Sequence, residues 1–310
     1  MRIAGALRSR MAGRAAPAPA RLDSRLVNIH GEQLAVLDAA CAEGGDERYA
    51  LFRELETDLW ALLLTQQYEV YSNIRALLPD VPDVALQELW NGTSGVSLAA
   101  QSAAFYRRLC QRFGERSDVR LSEARVLDLG CGWGRLTRFL ARDVAPGRLY
   151  GCDPAQQILD ICAQSRVPAN LARSEFVPER VPFDEQFDLV FAFSVFTHLS
   201  EGAHEASLRA LHRAMRPGAV LVVTVRPPAY ARQSPLLGGV EVEPEAPQYV
   251  FVPHPAQGSH PQYESGEMTY GEAIITLPYI AEHWSPLFDV LDVDVLIDDL
   301  HQVMVTLRRR

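Results

Sequence analysis

Val126-Leu127-Asp128-Leu129-Gly130-Cys131-Gly132-Trp133-Gly134-Arg135 is the stretch on which the reading of this 310-residue chain turns. A short apolar run that ends in Gly-x-Gly-x-Gly and opens into a helix is built to let a ligand touch the backbone. Gly130 permits the tight turn, Gly132 removes a side chain where the ligand lies, and Gly134 allows close helix–strand packing. The helix expected from Gly134 to about Arg142 offers N–H groups at its start, which favour an anionic group. Asp153 follows a second apolar run, 23 positions after Gly130. There a carboxylate can accept both ribose hydroxyls of an adenosine.

Downstream of Arg125, strand and helix patterns alternate, as in a parallel sheet covered on both faces. Strands are expected at Val126–Leu129, Arg148–Cys152, Asn170–Arg173, Phe187–Phe193 and Ala219–Val225. Helices are expected at Pro154–Gln164 and Glu201–Met215, the second capped by Ser200 and stopped by Pro217-Gly218. Residues 228–270 break the rhythm and are rich in Pro, Gly, Gln and Tyr; a loop this long is often functional. A helix over Tyr270–Trp284 and two closing strands, Phe288–Leu296 and Gln302–Leu307, complete the pattern.

Upstream, residues 27–118 read as a helical segment. Leu51, Leu55, Leu59, Leu62 and Leu63 recur at helical steps, Pro79 and Pro82 interrupt, and a helix from Ser97 to Phe113 leads toward the glycines. Residues 1–26 read as a disordered basic extension, with five arginines and no acid before Leu22. Residues 119–310 form the main domain, and 228–270 an insertion that can act as an acceptor lid.

Composition narrows the chemistry. All 30 basic residues are arginine, which excludes Schiff-base lysines and the phosphate-binding lysine of a P-loop. A net charge of −9 argues against a nucleic-acid surface, and no apolar run is long enough for a membrane span. Five cysteines without a C-x-x-C pair argue against a metal site or disulfide framework and fit a reducing, cytoplasmic setting.

The glycines alone admit either a nicotinamide dinucleotide or S-adenosylmethionine (SAM). Dinucleotide sites need Gly-x-Gly-x-x-Gly, and here the third glycine comes one residue early. Asp128 is moreover unneeded by a pyrophosphate and would repel it. At these residues the chain resembles the class I SAM-dependent methyltransferase family, from about Val126 to the C-terminus. Val126–Arg135 is similar to the first motif of that family, and Tyr150-Gly151-Cys152-Asp153 to its acidic second-strand end. Val181-Pro182-Phe183 with Phe187-Asp188-Leu189-Val190 resembles the approach to its fourth strand, and Arg216-Pro217-Gly218-Ala219-Val220-Leu221 the turn before its fifth.

The resemblance implies an α/β fold, a doubly wound seven-stranded mostly parallel sheet with a reversed last strand. It implies that Asp128, Gly130, Cys131, Gly132 and Gly134 lie along the methionine part of SAM and that Asp153 binds the ribose. Many relatives carry an aspartate after the third strand for the adenine. This chain reads Ala172-Arg173-Ser174-Glu175-Phe176 there, so Ser174 or Glu175 has to serve. Ser194, at the end of the fourth strand, completes the expected cofactor set.

For the chemistry, Ser194-Val195-Phe196-Thr197-His198-Leu199 follows the fourth strand, where ligands of open α/β sheets collect. His198 can act as base or orient the acceptor, or it can simply hold its loop through a backbone hydrogen bond. His204 is expected on the surface, while His254, His260, Tyr249, Tyr263 and Tyr270 are further residues for an acceptor pocket. Trp133 can pack over the cofactor or cover the sheet edge, and Trp90-Asn91-Gly92-Thr93 can close over the SAM carboxylate. No Asn/Asp-Pro-Pro-Tyr/Phe and no cysteine follows the fourth strand, which disfavours nucleobase acceptors. The expectation is methyl transfer to an O or N atom of a small-molecule or glycan-type acceptor. A nicotinamide-dependent oxidoreductase and a non-catalytic binding module are the rivals.

Overall fold

The structure, a computed structural model, describes residues 24–43, 48–145, 147–255, 263–264 and 267–310. The expected basic extension falls almost wholly outside these residues, as does His260.

Among the described residues five α-helices precede the sheet: α1 (Ser24–Ala42), α2 (Thr57–Thr65), α3 (Ser72–Leu77), α4 (Val84–Asn91) and α5 (Gly95–Arg116). The leucine series does not form one helix. Residues Arg48–Phe52 make a 3₁₀ turn, and α2 starts only at Thr57, where Glu56 accepts the amides of Asp58 and Leu59. That cap satisfies donors a continuous helix would have bonded internally, and it leaves Leu51 exposed.

The remainder runs β1 (Val126–Leu129), α6 (Thr137–Leu140), β2 (Leu149–Asp153), α7 (Gln156–Gln164), β3 (Asn170–Arg173), β4 (Phe187–Ala192), α8 (Glu201–Ala214) and β5 (Met215–Val225). Then follow β6 (Tyr249–Pro253), β7 (Tyr263–Glu264), β8 (Glu267–Met268), β9 (Gly271–Ile275), α9 (Leu277–His283), β10 (Phe288–Val295) and β11 (Val303–Arg309). Seven strands form one sheet in the order β10-β11-β5-β4-β1-β2-β3. β1 to β5 are parallel neighbours, and the last strand, β11, runs antiparallel to both β5 and β10. This is the expected doubly wound sheet with a reversed last strand.

Alternation along the strands explains why both faces are covered. Val126, Leu189, Phe191, Val220, Val222 and Met304 face one core, shared with Trp60, Leu63, Phe105 and Leu109 of the N-terminal helices. Leu127, Val190, Ala192, Leu221, Val223 and Val305 face the other, with Leu208 and Leu211 of α8 and Ile280 of α9. Period-two side chains that are apolar on both faces make the unbroken hydrophobic strands of a buried sheet. On its outer edge, α5 is clasped to β10 by paired contacts of Arg112 with Asp294 and of Arg116 with Asp292, all between 2.6 and 2.8 Å.

Three local expectations fail. α8 is capped by Ser200 but ends at Ala214. Pro217 and Gly218 lie within the irregular start of β5, where the register against β4 shifts. Arg216 is held there by the buried Asp188 at 2.6 Å. Second, residues 271–275, expected in a helix, form β9, because β6 in the insertion supplies an antiparallel partner from Tyr249 to Pro253. Third, the helix after the glycine turn spans only Thr137–Leu140. Among the described residues no helix is long and apolar enough to cross a membrane.

Candidate functional site

Strand order reverses between β1 and β4, whose successors lie on opposite sides, and the crevice beyond their carboxyl ends is the natural ligand position in an open α/β sheet. The glycine turn forms one wall. Gly130, Gly132 and Gly134 have φ of 70°, 53° and 77°, the left-handed region that side chains other than glycine enter at a cost. Space reinforces the requirement at two of them. A Cβ on Gly130 would lie 2.4 Å from Val195 Cγ2, and one on Gly134 2.8 Å from Val167 Cγ2. At Gly132 the nearest neighbour is Trp90, at 3.7 Å.

Four amides of this turn are bonded within the protein. Gly130 and Cys131 donate to the Cys152 carbonyl at 2.8 and 3.0 Å, and Gly134 to that of Cys131 at 2.9 Å. Gly132 donates to Asp153 Oδ2 at 3.1 Å. α6 starts three residues beyond Gly134, so the helix start expected at the glycines is displaced. The four bonded amides are taken up and not turned to a pyrophosphate.

Two acids flank the turn. Asp128 is buried and accepts the Thr137 hydroxyl at 2.6 Å; burial pushes its carboxyl up to about 7. Asp153 ends β2 and accepts the amides of Gly132 and, at 2.9 Å, Ala155. Burial raises it to about 6, against those hydrogen bonds, which lower it. Both carboxylates are thus held where the charged form is disfavoured, a common mark of groups that await a ligand.

The remaining expected cofactor residues differ in placement. Ser174 is buried and its amide reaches the Asp153 carbonyl at 3.2 Å, whereas Glu175 is exposed. The Cys131 thiol turns inward and lies over Gly151, 3.2 Å from where a Cβ there would stand, so Cys131 offers the crevice only backbone. Ser194 is left-handed (φ 58°). Its hydroxyl is taken by Thr197 at 3.2 Å and by the Gln302 amide at 3.1 Å, so it braces the loop after β4.

The N-terminal helices reach this wall. Trp133 is buried against Leu98 and Ile158, with its indole N–H donating to Asn91 Oδ1 at 2.8 Å and Arg138 stacked on it at 4.6 Å. It therefore pins the turn to α4, and neighbouring Trp90 stands over Gly132. Arg135 was not singled out by its position in the motif. It is buried on the face of Phe193 at 4.7 Å with no carboxylate within ion-pair distance among the described residues. Burial lowers its guanidinium to about 10.

The opposite wall is built from the loop after β4 and from the insertion. Gly271 donates its amide to the His198 carbonyl at 2.9 Å, and Ala273 to that of Thr197 at 2.8 Å, so β9 is laced to the loop. His198 Nδ1 lies 2.8 Å from the Gly271 carbonyl. A nitrogen facing a carbonyl must carry the proton, which leaves Nε2 with the lone pair. The ring stacks on Tyr270 at 5.1 Å, and Tyr270 stacks in turn on His254 at 5.2 Å. Burial lowers the His198 imidazole to about 4. His204, expected on the surface, is fully buried. Its ring lies among Phe196, Tyr249, Tyr279 and Trp284, because the insertion and α9 fold over that side of α8. Burial pushes it down to about 3, and it belongs to the core.

Sequence reasoning also missed Arg226 and Glu272, which meet beside His198. Arg226 stacks on Tyr230 at 4.0 Å and lies 3.7 Å from Glu272, and Glu272 stands 3.9 Å from His198 Nδ1, the nitrogen that faces Gly271. They follow β5 and open β9, a spread that no local motif records.

Residues 126–218 match the family model described as a methyltransferase domain. Trans-aconitate 2-methyltransferase of Variovorax paradoxus is 31% identical over 100 residues, 32% of this chain and 38% of that protein. Methyltransferase GfsG of Streptomyces halstedii is 28% identical over 145 residues, 43% of this chain and 48% of that protein. The chain thus spans less than half the length of these curated relatives. Among solved structures, the glycopeptide N-methyltransferase MtfA complexed with SAM is similar at 18% identity and a TM-score of 0.46, over 68% of this chain and 94% of that one. Residues 126–218 thus carry the sequence pattern of a methyltransferase domain, set in a seven-stranded sheet with a reversed last strand.

Proposed function

We propose that this chain transfers the methyl group of SAM to an O or N atom of a small-molecule or glycan-type acceptor. The observation that carries the reading is Asp153, a buried carboxylate at the end of β2 that already holds the Gly132 amide and retains lone pairs for two ribose hydroxyls. The left-handed glycines leave the backbone open beside it. The four internally bonded amides of the turn, with the third glycine one residue early for a dinucleotide, weigh against the nicotinamide rival.

Methyl transfer from a sulfonium is an in-line displacement. The acceptor lone pair forms the bond to the methyl carbon as the carbon–sulfur bond breaks, with its electron pair going to sulfur. The protein's main task is alignment and exclusion of water. His198 is neutral across the physiological range and presents Nε2 as an acceptor. In this reading it orients an acceptor hydroxyl or amine and takes up the proton as the new bond forms. A conjugate acid near 4 makes it a weak base, suited to late rather than early proton removal.

Calorimetric titration with SAM and with NADH tests the donor assignment: SAM should bind and NADH should not, and the converse result returns the chain to the oxidoreductase rival. With an acceptor identified, His198→Ala should slow turnover by about 100-fold or more while SAM affinity holds. Unchanged turnover would remove His198 from the chemistry. SAM binding without formation of S-adenosylhomocysteine on any acceptor would support the non-catalytic rival.

A further inference from the structure

Arg135 carries a buried charge whose best hydrogen-bonding edge is unused. The residue is 7% exposed. One face of its guanidinium lies on the Phe193 ring, and Nη1 reaches the Ser102 hydroxyl at 3.5 Å. Nε and Nη2 make no hydrogen bond within the protein, yet neither is sealed from solvent. Asp299 and Asp128 are the acids whose charge it feels, and both stand beyond ion-pair distance.

Arg112 and Arg116 show what that edge does elsewhere on the same chain. Nε and Nη2 point the same way in the plane of a guanidinium. On Arg112 and Arg116 this pair of nitrogens clasps both oxygens of Asp294 and of Asp292 at 2.6 to 2.8 Å. Arg135 presents the same fork with no protein group in it. A carboxylate matches the fork oxygen for nitrogen, and it neutralises a charge that is costly to leave buried and alone. A single hydroxyl would leave the charge unanswered. A phosphate dianion would bring a second negative charge toward Asp128 and Asp299.

Position tells which molecule brings the carboxylate. Arg135 follows Gly134 at the end of the turn after β1, and β2 and β4 lie on either side of β1. Asp153 ends β2. Phe193, under the guanidinium, is the first residue past β4 and precedes His198 in the same loop. The proposed ribose site and the open fork thus flank the turn on opposite sides, and the fork shares the side of His198. We infer that Nε and Nη2 of Arg135 hold a carboxylate of the methyl acceptor, so that the acceptor is a carboxylic acid.

This inference rests on the methyl-transfer reading, and the test separates the two. The full chain is first titrated with SAM; failure to bind would overturn the donor reading. With SAM bound, label from methyl-labelled SAM is followed into three sets of probes on common frames: hydroxy- and amino-carboxylic acids, their carboxamides, and the matching phosphate monoesters. The expected result is label in the acids, at least about tenfold above either of the others. Equal or greater label in the amides or phosphates, or none in any set while SAM binds, would overturn the assignment. This wild-type comparison stands whether or not any variant folds. Arg135→Gln removes the charge and Arg135→Lys keeps it without the fork. Each should lower kcat/KM for the labelled acid by about tenfold or more, with SAM affinity within about threefold of wild type as the check on folding. Unchanged kcat/KM in both variants would remove Arg135 from the acceptor site. Weakened binding of SAM, with binding of decarboxylated SAM retained, would give the fork to the cofactor's own carboxylate and overturn the proposal as well.

Discussion

Lowering the pH from 7 to 5 should weaken SAM binding by about tenfold through Asp153 alone. The carboxyl is raised by burial to about 6, against an ordinary value of about 3.9. Ribose hydroxyls donate, so they need the ionised form. For a group at about 6, that form falls from roughly nine-tenths of the population at pH 7 to roughly one-tenth at pH 5. SAM adds no titration of its own over this window, since an α-amino group ionises nearer 8 and an α-carboxyl well below 5. Binding at pH 6 should also release up to about half a proton, which calorimetry in buffers of different ionisation enthalpy measures directly. Asp153→Asn is the control. It should bind SAM more weakly by about 2 kcal/mol, the range of a hydrogen bond to a charged group, and its affinity should vary less between pH 7 and 5 than that of the wild type, with Asp128, raised to about 7, as the remaining carboxyl that titrates there. A flat wild-type profile, or an equal slope in the Asn variant, would refute the ribose role and the burial argument together.

Asp128 carries the same penalty in the free protein. Its carboxyl is raised to about 7, so below about pH 4 both folded and unfolded forms are protonated and the penalty is absent. It develops as pH rises toward 7, and Asp128→Asn should therefore raise unfolding stability at pH 8 by up to about 4 kcal/mol, read by urea denaturation without ligand. Loss of stability at pH 8 would show that the Thr137 hydrogen bond outweighs desolvation. Gly134→Ala should destabilise by about 2–4 kcal/mol, from left-handed backbone and from crowding against Val167. Adding Val167→Ala should recover at least about 1 kcal/mol beyond additivity, and strict additivity would mean the crowding is relieved elsewhere. A Cβ on Gly271 would stand 2.2 Å from the Val252 carbonyl oxygen, so Gly271→Ala must displace the strand whose carbonyl orients His198. Turnover should fall by about tenfold or more with SAM affinity retained, and equal losses of both would place the damage in the fold as a whole.

The donor half of the site was legible because its determinants are local. β1 and β3 have the bounds expected of them, and Ser200 caps α8, since apolar runs and cap residues act over a few positions. The glycines and Asp153 are likewise spaced by one strand–turn–helix unit. What escaped depends on contacts between distant segments. Residues 271–275 become a strand because β6 is there to pair with them, and His204 is buried because aromatic rings arrive from the insertion and α9. The pairing of Arg226 with Glu272 exists only where the end of β5 meets the start of β9.

The lacing of β9 to the loop after β4 has a consequence for how the two halves of the site fail. The donor wall is closed by hydrogen bonds among residues 128–155, whereas the acceptor wall hangs on amides that join Thr197 and His198 to a segment more than seventy positions away. Such a seam can part without disturbing the sheet. On the proposed reading, an opened seam would leave a protein that still takes SAM but has lost the orientation of His198. Exchange of the Gly271 and Ala273 amides with solvent deuterium would then time the opening, separately from unfolding of β1 and β4. The same separability means that changing the hairpin can change the acceptor while the donor is kept.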